Sequence, residues 1–119
     1  MNETAVSDEV QVIHDQVDAF NARDVERFVS FYHPDAVLED ATGNVMMQGH
    51  DQLRGFYGSM FAQSPDLHVD IVKRIGVGSW IIDEEDGRGF NLDGFPPTLH
   101  CAVIYQVVDG KIGRARMLI

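Results

Sequence analysis

The 119-residue sequence has few basic residues, one cysteine and no long apolar run, and each shortage excludes a class of function. Nine Lys and Arg stand against 19 Asp and Glu, and the resulting net charge of −10 would repel nucleic acid and anionic membrane surfaces. Cys101 has no partner for an intramolecular disulfide, and its apolar surroundings indicate a packed thiol. No apolar run is long enough to cross a membrane. The acidic N-terminus lacks the apolar segment of a secretory signal, so we expect a cytoplasmic protein.

Length and composition predict a single domain over residues 1–119. Apolar residues make up 45% of the sequence and charged residues 24%, which is typical of a folded protein with one hydrophobic core. The glycines between positions 87 and 94 lack the spacing of a phosphate-binding loop. The five histidines lack the spacing of zinc ligands. We therefore expect neither a cofactor nor a metal.

Helical periodicity occurs in three segments of the first half. Apolar residues three and four apart predict a first helix over residues 4–22. Asp24 can cap a second helix, whose apolar spacing continues to Tyr32 before Pro34 ends it. A third helix begins near Gly49 and ends at 64–66.

Strand patterns surround and follow the third helix. A strand over 36–39 and a returning strand over 45–47 flank a turn at Gly43–Asn44. After Pro65 the apolar period changes to two. The later segments are a strand from Leu67, a strand from Trp80 that continues into acidic residues 83–86, an exposed loop over 87–97, a strand over 98–108 and a last strand over 112–119. We interpret residues 83–86 as a solvated strand end, because four successive strand residues rarely converge on one cation.

This order of elements predicts an α+β fold with a curved, antiparallel-dominated sheet wrapped around three helices. The cone-shaped cavity between them would suit a small hydrophobic molecule. The strand over 98–108 has apolar residues on both of its faces, which indicates that both faces are buried. One face would line the cavity, so we expect the other to pair with a second copy in a homodimer.

The segment 32–40 leads from a helix into a strand that ends on Glu39 and Asp40. A carboxylate at the end of a buried strand can lie at the mouth of a pocket, where burial raises its pKa toward that of a useful base. The alternative is a solvated strand end with two ordinary acidic residues.

Four segments in this order and spacing resemble the nuclear transport factor 2-like superfamily, in its ketosteroid isomerase and polyketide cyclase (SnoaL-like) branch. They are Phe20–Asp24, Phe31–Asp40, Gly49–Tyr57 and Asp109–Ile112. The resemblance implies a cystatin-like α+β barrel around a pocket. Because this fold supports many activities, the resemblance alone does not identify a reaction.

The resemblance places the catalytic carboxylate of the isomerases on Asp40 and their two supporting tyrosines on Tyr32 and Tyr57. It also implies two departures. Gln16 stands where the isomerases have the tyrosine that donates to the oxyanion. Val103, or a residue next to it, stands where they have a protonated aspartate. Because neither donor is present, we do not expect an efficient ketosteroid isomerase.

Four further residues complete the predicted ligand site. Phe20, Phe56 and Trp80 would form an apolar wall that raises the pKa of Asp40, and His100 could pair with Asp40. Two functions stay open. One is a general-base isomerase, cyclase or lyase acting on a hydrophobic carbonyl compound, and the other is a non-catalytic domain that binds a hydrophobic ligand or dimerises.

Overall fold

A computed structural model describes residues 7–119 and confirms the predicted α+β class. The elements are α1 (Asp8–Asn21), α2 (Val25–Ser30), β1 (Tyr32–Glu39), β2 (Val45–Gln48), α3 (His50–Gln63), β3 (His68–Val77), β4 (Trp80–Arg88), β5 (Thr98–Val108) and β6 (Lys111–Leu118). Within this described part, no helix has the length and apolar character needed to cross a membrane.

The six strands form one curved sheet in the order β2-β1-β6-β5-β4-β3. The pairing of β1 with β6 is parallel, and the other four pairings are antiparallel. Strands β2 and β3 are the two edges and do not pair with each other, so the sheet is open and is not a closed barrel. Helix α1 packs against β3 to β6, which places the core between the helices and the concave face of the sheet.

Side-chain caps begin the first two helices. The Ser7 hydroxyl accepts a hydrogen bond from the Val10 amide at 3.2 Å, and acidic residues fill the first turn of α1. The Asp24 carboxylate accepts from the Arg27 amide at 3.1 Å, as the sequence predicted for the second helix. The predicted first helix began at residue 4, and its part before Ser7 lies outside the described residues.

The second helix is shorter than predicted, because α2 ends at Ser30 and β1 already begins at Tyr32. The backbone of this segment pairs with β6: Tyr32 lies beside Ile112, and the Ile112 amide donates to the Phe31 carbonyl at 2.8 Å. Pro34 lies inside β1, within the irregular part of the β1–β6 register. A proline is tolerated there because its missing N–H breaks no ladder hydrogen bond.

Strand β5 presents one buried row and one partly exposed row. Val103, Tyr105 and Val107 face the helices and are buried, whereas Ala102 and Ile104 on the opposite face are only half-buried. In a single chain β5 is therefore not buried on both faces as the sequence predicted.

The predicted exposed loop over 87–97 is confirmed only in part, because residues 89–97 form a loop that is not exposed throughout. Strand β4 continues to Arg88, and Phe90 turns back over it and is buried, 5.0 Å from the Phe95 ring. A Cβ atom at Gly87 would lie 2.7 Å from the Phe90 ring, so glycine at this position makes room for Phe90. The two phenylalanines turn an apparently polar loop into part of the core.

Candidate functional site

A cavity of about 280 Å³ lies between the concave face of the sheet and the helices. Most of its wall is apolar. The helices contribute Gln16, Val17, Phe20, Phe28, Phe56, Tyr57 and Met60. The strands and the segments next to them contribute Tyr32, Met46, Met47, Val69, Glu85, Gly87, Phe90, Phe95, Leu99, Cys101, Val103, Tyr105, Ala115, Met117 and Ile119.

Exposed apolar side chains mark the opening of the cavity. Met46, Phe56 and Ile119 line it and are 44%, 48% and 71% exposed. Flexible methionine side chains adapt to ligands of different shape. This opening would therefore admit an apolar molecule directly from solvent.

Among residues 7–119, Glu85 is the acidic residue in the cavity wall. Along β4, Asp83 and Glu85 point to the concave face, while Glu84 and Asp86 alternate to the outer face. Glu85 is 8% exposed, and burial, reinforced by the negative charge of Asp83, raises the pKa of its carboxyl to about 7. The Arg74 guanidinium and a hydrogen bond from Tyr105 act in the opposite direction. Glu85 can therefore both accept and donate a proton near neutral pH.

Asp83, two residues before Glu85, is fully buried in an ion pair. Arg74 on β3 donates from Nε to Oδ1 at 2.6 Å and from Nη2 to Oδ2 at 2.8 Å. This two-point contact compensates the buried carboxylate and raises the pKa of Arg74. The pair fixes a negative and a positive charge beside Glu85.

Three tyrosine phenols line the same cavity. The Tyr32 hydroxyl donates to Gln16 Oε1 at 2.9 Å. Burial raises the pKa of all three, Tyr32, Tyr57 and Tyr105, and the charge of Glu85 adds to the effect in each. The phenols therefore stay protonated at neutral pH and can act as hydrogen-bond donors.

Most of the predicted site residues meet in this cavity. The residues that line it are Tyr32, Tyr57, Gln16, Phe20, Phe56 and Val103. Gln16 donates its amide to the Ile13 carbonyl at 3.4 Å, so part of its donor capacity is already used. That these residues contact a ligand or a reacting group stays a prediction.

Asp40 does not line the cavity, and the prediction of a raised pKa there is wrong. It lines a second depression, which shares Met46 and Ile119 with the opening of the cavity. Its side chain lies at the surface, where Oδ1 accepts from Thr42 Oγ1 at 2.7 Å and from the amides of Thr42 and Asn44 at 2.9 and 3.0 Å. These bonds, the one from the Thr42 hydroxyl first, lower the pKa of the carboxyl. Asp40 organises the turn between β1 and β2, and the aromatic wall does not desolvate it.

Trp80 and His100 also lie outside the cavity, contrary to prediction. Trp80 begins β4 and is 40% exposed. His100 Nε2 lies 2.7 Å from Glu84 Oε2 on the outer face, so His100 does not pair with Asp40. The cause is strand alternation: Cys101, the next residue, points into the cavity.

In the acidic run 83–86, two residues that were predicted to be solvated are buried. The sequence predicted a solvated strand end, yet Asp83 and Glu85 are buried. The alternation of the strand indicated this burial, because Asp83 and Glu85 lie on the same face of β4 as the core residue Ile81. The prediction of solvent exposure considered only the charge of these residues.

The chain belongs to the family of SnoaL-like domains, whose family model matches residues 13–115. Its fold is the cystatin-like, nuclear transport factor 2-like fold that the sequence resemblance implied. No protein with a curated description matches it in sequence.

Three solved structures illustrate the likeness. A cystatin-fold protein from Novosphingobium aromaticivorans is 24% identical, with 97% of this chain and 100% of that chain covered and a TM-score of 0.85. TerC, crystallised with polyporic acid, is 20% identical, with 95% and 92% covered and a TM-score of 0.77. A polyketide cyclase candidate from Sinorhizobium meliloti is 18% identical, with 90% and 93% covered and a TM-score of 0.75. At these identities, the likeness shows the fold alone.

Proposed function

We propose that this protein binds a hydrophobic carbonyl compound in the cavity and catalyses a proton transfer on it, in an isomerisation, cyclisation or elimination, without a cofactor. Glu85 takes the role that the sequence assigned to Asp40. The observation that carries the proposal is the position of Glu85: a carboxyl in an apolar cavity, with a pKa of about 7. A general acid–base group is most effective when its pKa lies near the working pH.

In this reaction the Glu85 carboxylate removes a proton from the carbon next to the carbonyl group, and the electron pair moves onto the carbonyl oxygen. Protonated Glu85 then returns the proton to another atom of the substrate. Tyr57 and Tyr105 line the cavity with Glu85, and the charge of Glu85 raises the pKa of both phenols. Tyr105 already donates its hydroxyl to Glu85, so Tyr57 is the phenol that can donate to the developing oxyanion. It would replace one of the two donors that are absent at Gln16 and Val103.

The apolar wall supports the hydrophobic substrate class. Phe20, Phe28 and Tyr57 form a cluster whose ring centroids lie 4.6 to 6.3 Å apart. A flat, largely apolar molecule would be desolvated against these rings. TerC, which shares the fold, was crystallised with polyporic acid.

Proton transfer can be tested by hydrogen–deuterium exchange into a fused-ring ketone such as 2-tetralone, followed by NMR in D₂O. We expect the wild type to exceed the buffer rate, Glu85→Gln to lose at least about a hundredfold of that excess, and Asp40→Asn to keep it. Loss of exchange in Asp40→Asn with retention in Glu85→Gln would reverse the assignment. Ketone binding without exchange would favour the alternative, a non-catalytic domain for hydrophobic ligands.

We further propose that two copies associate through the outer face of the sheet. Ile75, Val77 and Trp80 are exposed there, and Ile104 lies between them and β6. An apolar surface of this kind is usual in an interface.

The charges of the outer face also permit self-association of a chain with net charge −10. Asp70 pairs with Arg88 at 2.6 Å, and Glu39 pairs with Arg116 at 3.1 Å. Because these two acids have basic partners, they would add little repulsion when two copies meet on this face.

A further inference from the structure

The cavity wall is asymmetric in charge. Among the described residues that line it, Glu85 is the acid, and there is no lysine, arginine or histidine. Arg74 lies close enough to favour the ionised form of Glu85, but both of its hydrogen bonds to carboxylate oxygens go to Asp83. An anionic ligand would therefore meet no cation in the wall and would meet the negative charge of Glu85.

A cationic ligand would meet the opposite conditions. Aromatic side chains line the cavity together with the Glu85 carboxyl, and the faces of aromatic rings attract organic cations. Tyr32, Tyr57 and Tyr105 line the same cavity as Glu85, and Tyr105 lies on β5, the strand that pairs with β4. A carboxylate among aromatic rings is a chemically complete site for an ammonium group with apolar substituents.

We propose that the cavity binds hydrophobic ammonium ions, tertiary or quaternary amines, with the Glu85 carboxylate as counter-ion, and that it rejects carboxylates of similar shape. The proposal uses the same cavity as the proposed function and does not depend on proton transfer. It predicts a second ligand class, which competes with the carbonyl compound. The net charge of −10 would also raise the local concentration of such cations.

The groups around Glu85 make the binding depend on pH. Asp83 and Arg74 are paired with each other, on β4 and β3. The other titratable groups of the cavity wall are Cys101 and Tyr105 on β5, Tyr32 on β1 and Tyr57 on α3. Burial raises the pKa of the Cys101 thiol to about 11 and also raises the pKa values of the three phenols. The thiol and the phenols stay neutral between pH 6 and pH 8, whereas Glu85 changes charge, so ammonium binding should strengthen as the pH rises through about 7.

The test compares benzyltrimethylammonium with its uncharged shape match, neopentylbenzene, by calorimetric titration at pH 6 and pH 8. At pH 8 we expect the ammonium ion to bind at least about tenfold more tightly than neopentylbenzene. With a pKa of about 7, the ionised fraction of Glu85 is roughly nine-tenths at pH 8 and one-tenth at pH 6, so the affinity for the cation should fall by nearly tenfold. The affinity for neopentylbenzene should not change.

Two matched variants complete the test. Glu85→Gln should lose both the preference for the cation and its pH dependence while still binding neopentylbenzene, which shows that the cavity is intact. Glu84→Gln, on the opposite face of the same strand, should behave like the wild type. Equal affinity for the two ligands at pH 8, or an undiminished preference in Glu85→Gln, would overturn the proposal. Cation binding without ketone exchange would refute only the proton-transfer function.

Discussion

Replacing Glu85 by glutamine should stabilise the protein above neutral pH. Burial raises the pKa of Glu85 from 4.5 to about 7, so the folded state disfavours the ionised carboxylate. Between these values the folded state holds a proton that the unfolded state has released, and stability therefore falls as the pH rises. The shift corresponds to a loss of roughly 3 kcal/mol of unfolding free energy, complete above pH 7. Glutamine keeps the shape of the side chain and cannot ionise, so it avoids this loss.

The assay is urea denaturation of the wild type and Glu85→Gln at intervals from pH 4.5 to pH 8.5. We expect similar stabilities near pH 4.5 and a growing advantage for Glu85→Gln up to about pH 7, constant above it. The difference between the two proteins isolates the contribution of the side chain at position 85. Glu84→Gln is the matched control, because Glu84 is half-buried on the outer face and contacts His100 there. A difference between wild type and Glu85→Gln that does not vary with pH would refute the reasoning.

Three other substitutions test separate parts of the structure. Asp40→Asn should change ketone exchange by less than about twofold, because the side chain lies outside the cavity and an amide oxygen can still accept from Thr42. A large loss of exchange would restore Asp40 as a candidate base. Ile104→Glu should convert a dimer into a 13.3 kDa monomer in light scattering, since it places a charge on the proposed interface, whereas a monomeric wild type would contradict the dimer. Gly87→Ala should cost about 1–3 kcal/mol in urea denaturation, because the new Cβ displaces the Phe90 ring; an unchanged midpoint would show that the ring moves freely.

Local signals in the sequence were enough to predict most of the fold. Apolar periodicity identified α1, α3 and the four long strands, and the Asp109–Gly110 turn has the two positive φ angles, 51° and 77°, that a tight hairpin requires. The start of β1 was missed because Tyr32 continues a helical spacing. Its strand conformation comes from pairing with Ile112, 80 positions later along the chain, and no local pattern shows such a contact.

The candidate site was less predictable, since it depends on which face of each strand meets the cavity. His100 and Cys101 are adjacent, and only the register of β5 with β4 determines which of them faces inward. The resemblance placed two supporting tyrosines on Tyr32 and Tyr57, which line the cavity, and their role stays a prediction. It failed at Asp40, where the Thr42 and Asn44 contacts form a turn at the surface. A shared fold fixes the path of the backbone and does not preserve the role of a side chain.

Glu85 was missed for a different reason. Acidic side chains are seldom buried, so a run of four acids normally indicates solvent exposure. Asp83 can be buried because it accepts two hydrogen bonds from Arg74 on β3. No sequence motif predicts this pairing. Glu85 is tolerated because it can stay protonated at near-neutral pH.

The central claim is that Glu85, and not Asp40, is the acid–base group of this protein. Titration of the side-chain carboxyl carbons by NMR tests it most directly, with Glu85→Gln and Asp40→Asn used to assign the two signals. We predict a midpoint of about 7 for Glu85 and a midpoint below the ordinary value of 3.8 for Asp40. A Glu85 midpoint near 4.5 would contradict the account, because a carboxyl that ionises like one in water cannot be the desolvated base on which the proposed function depends.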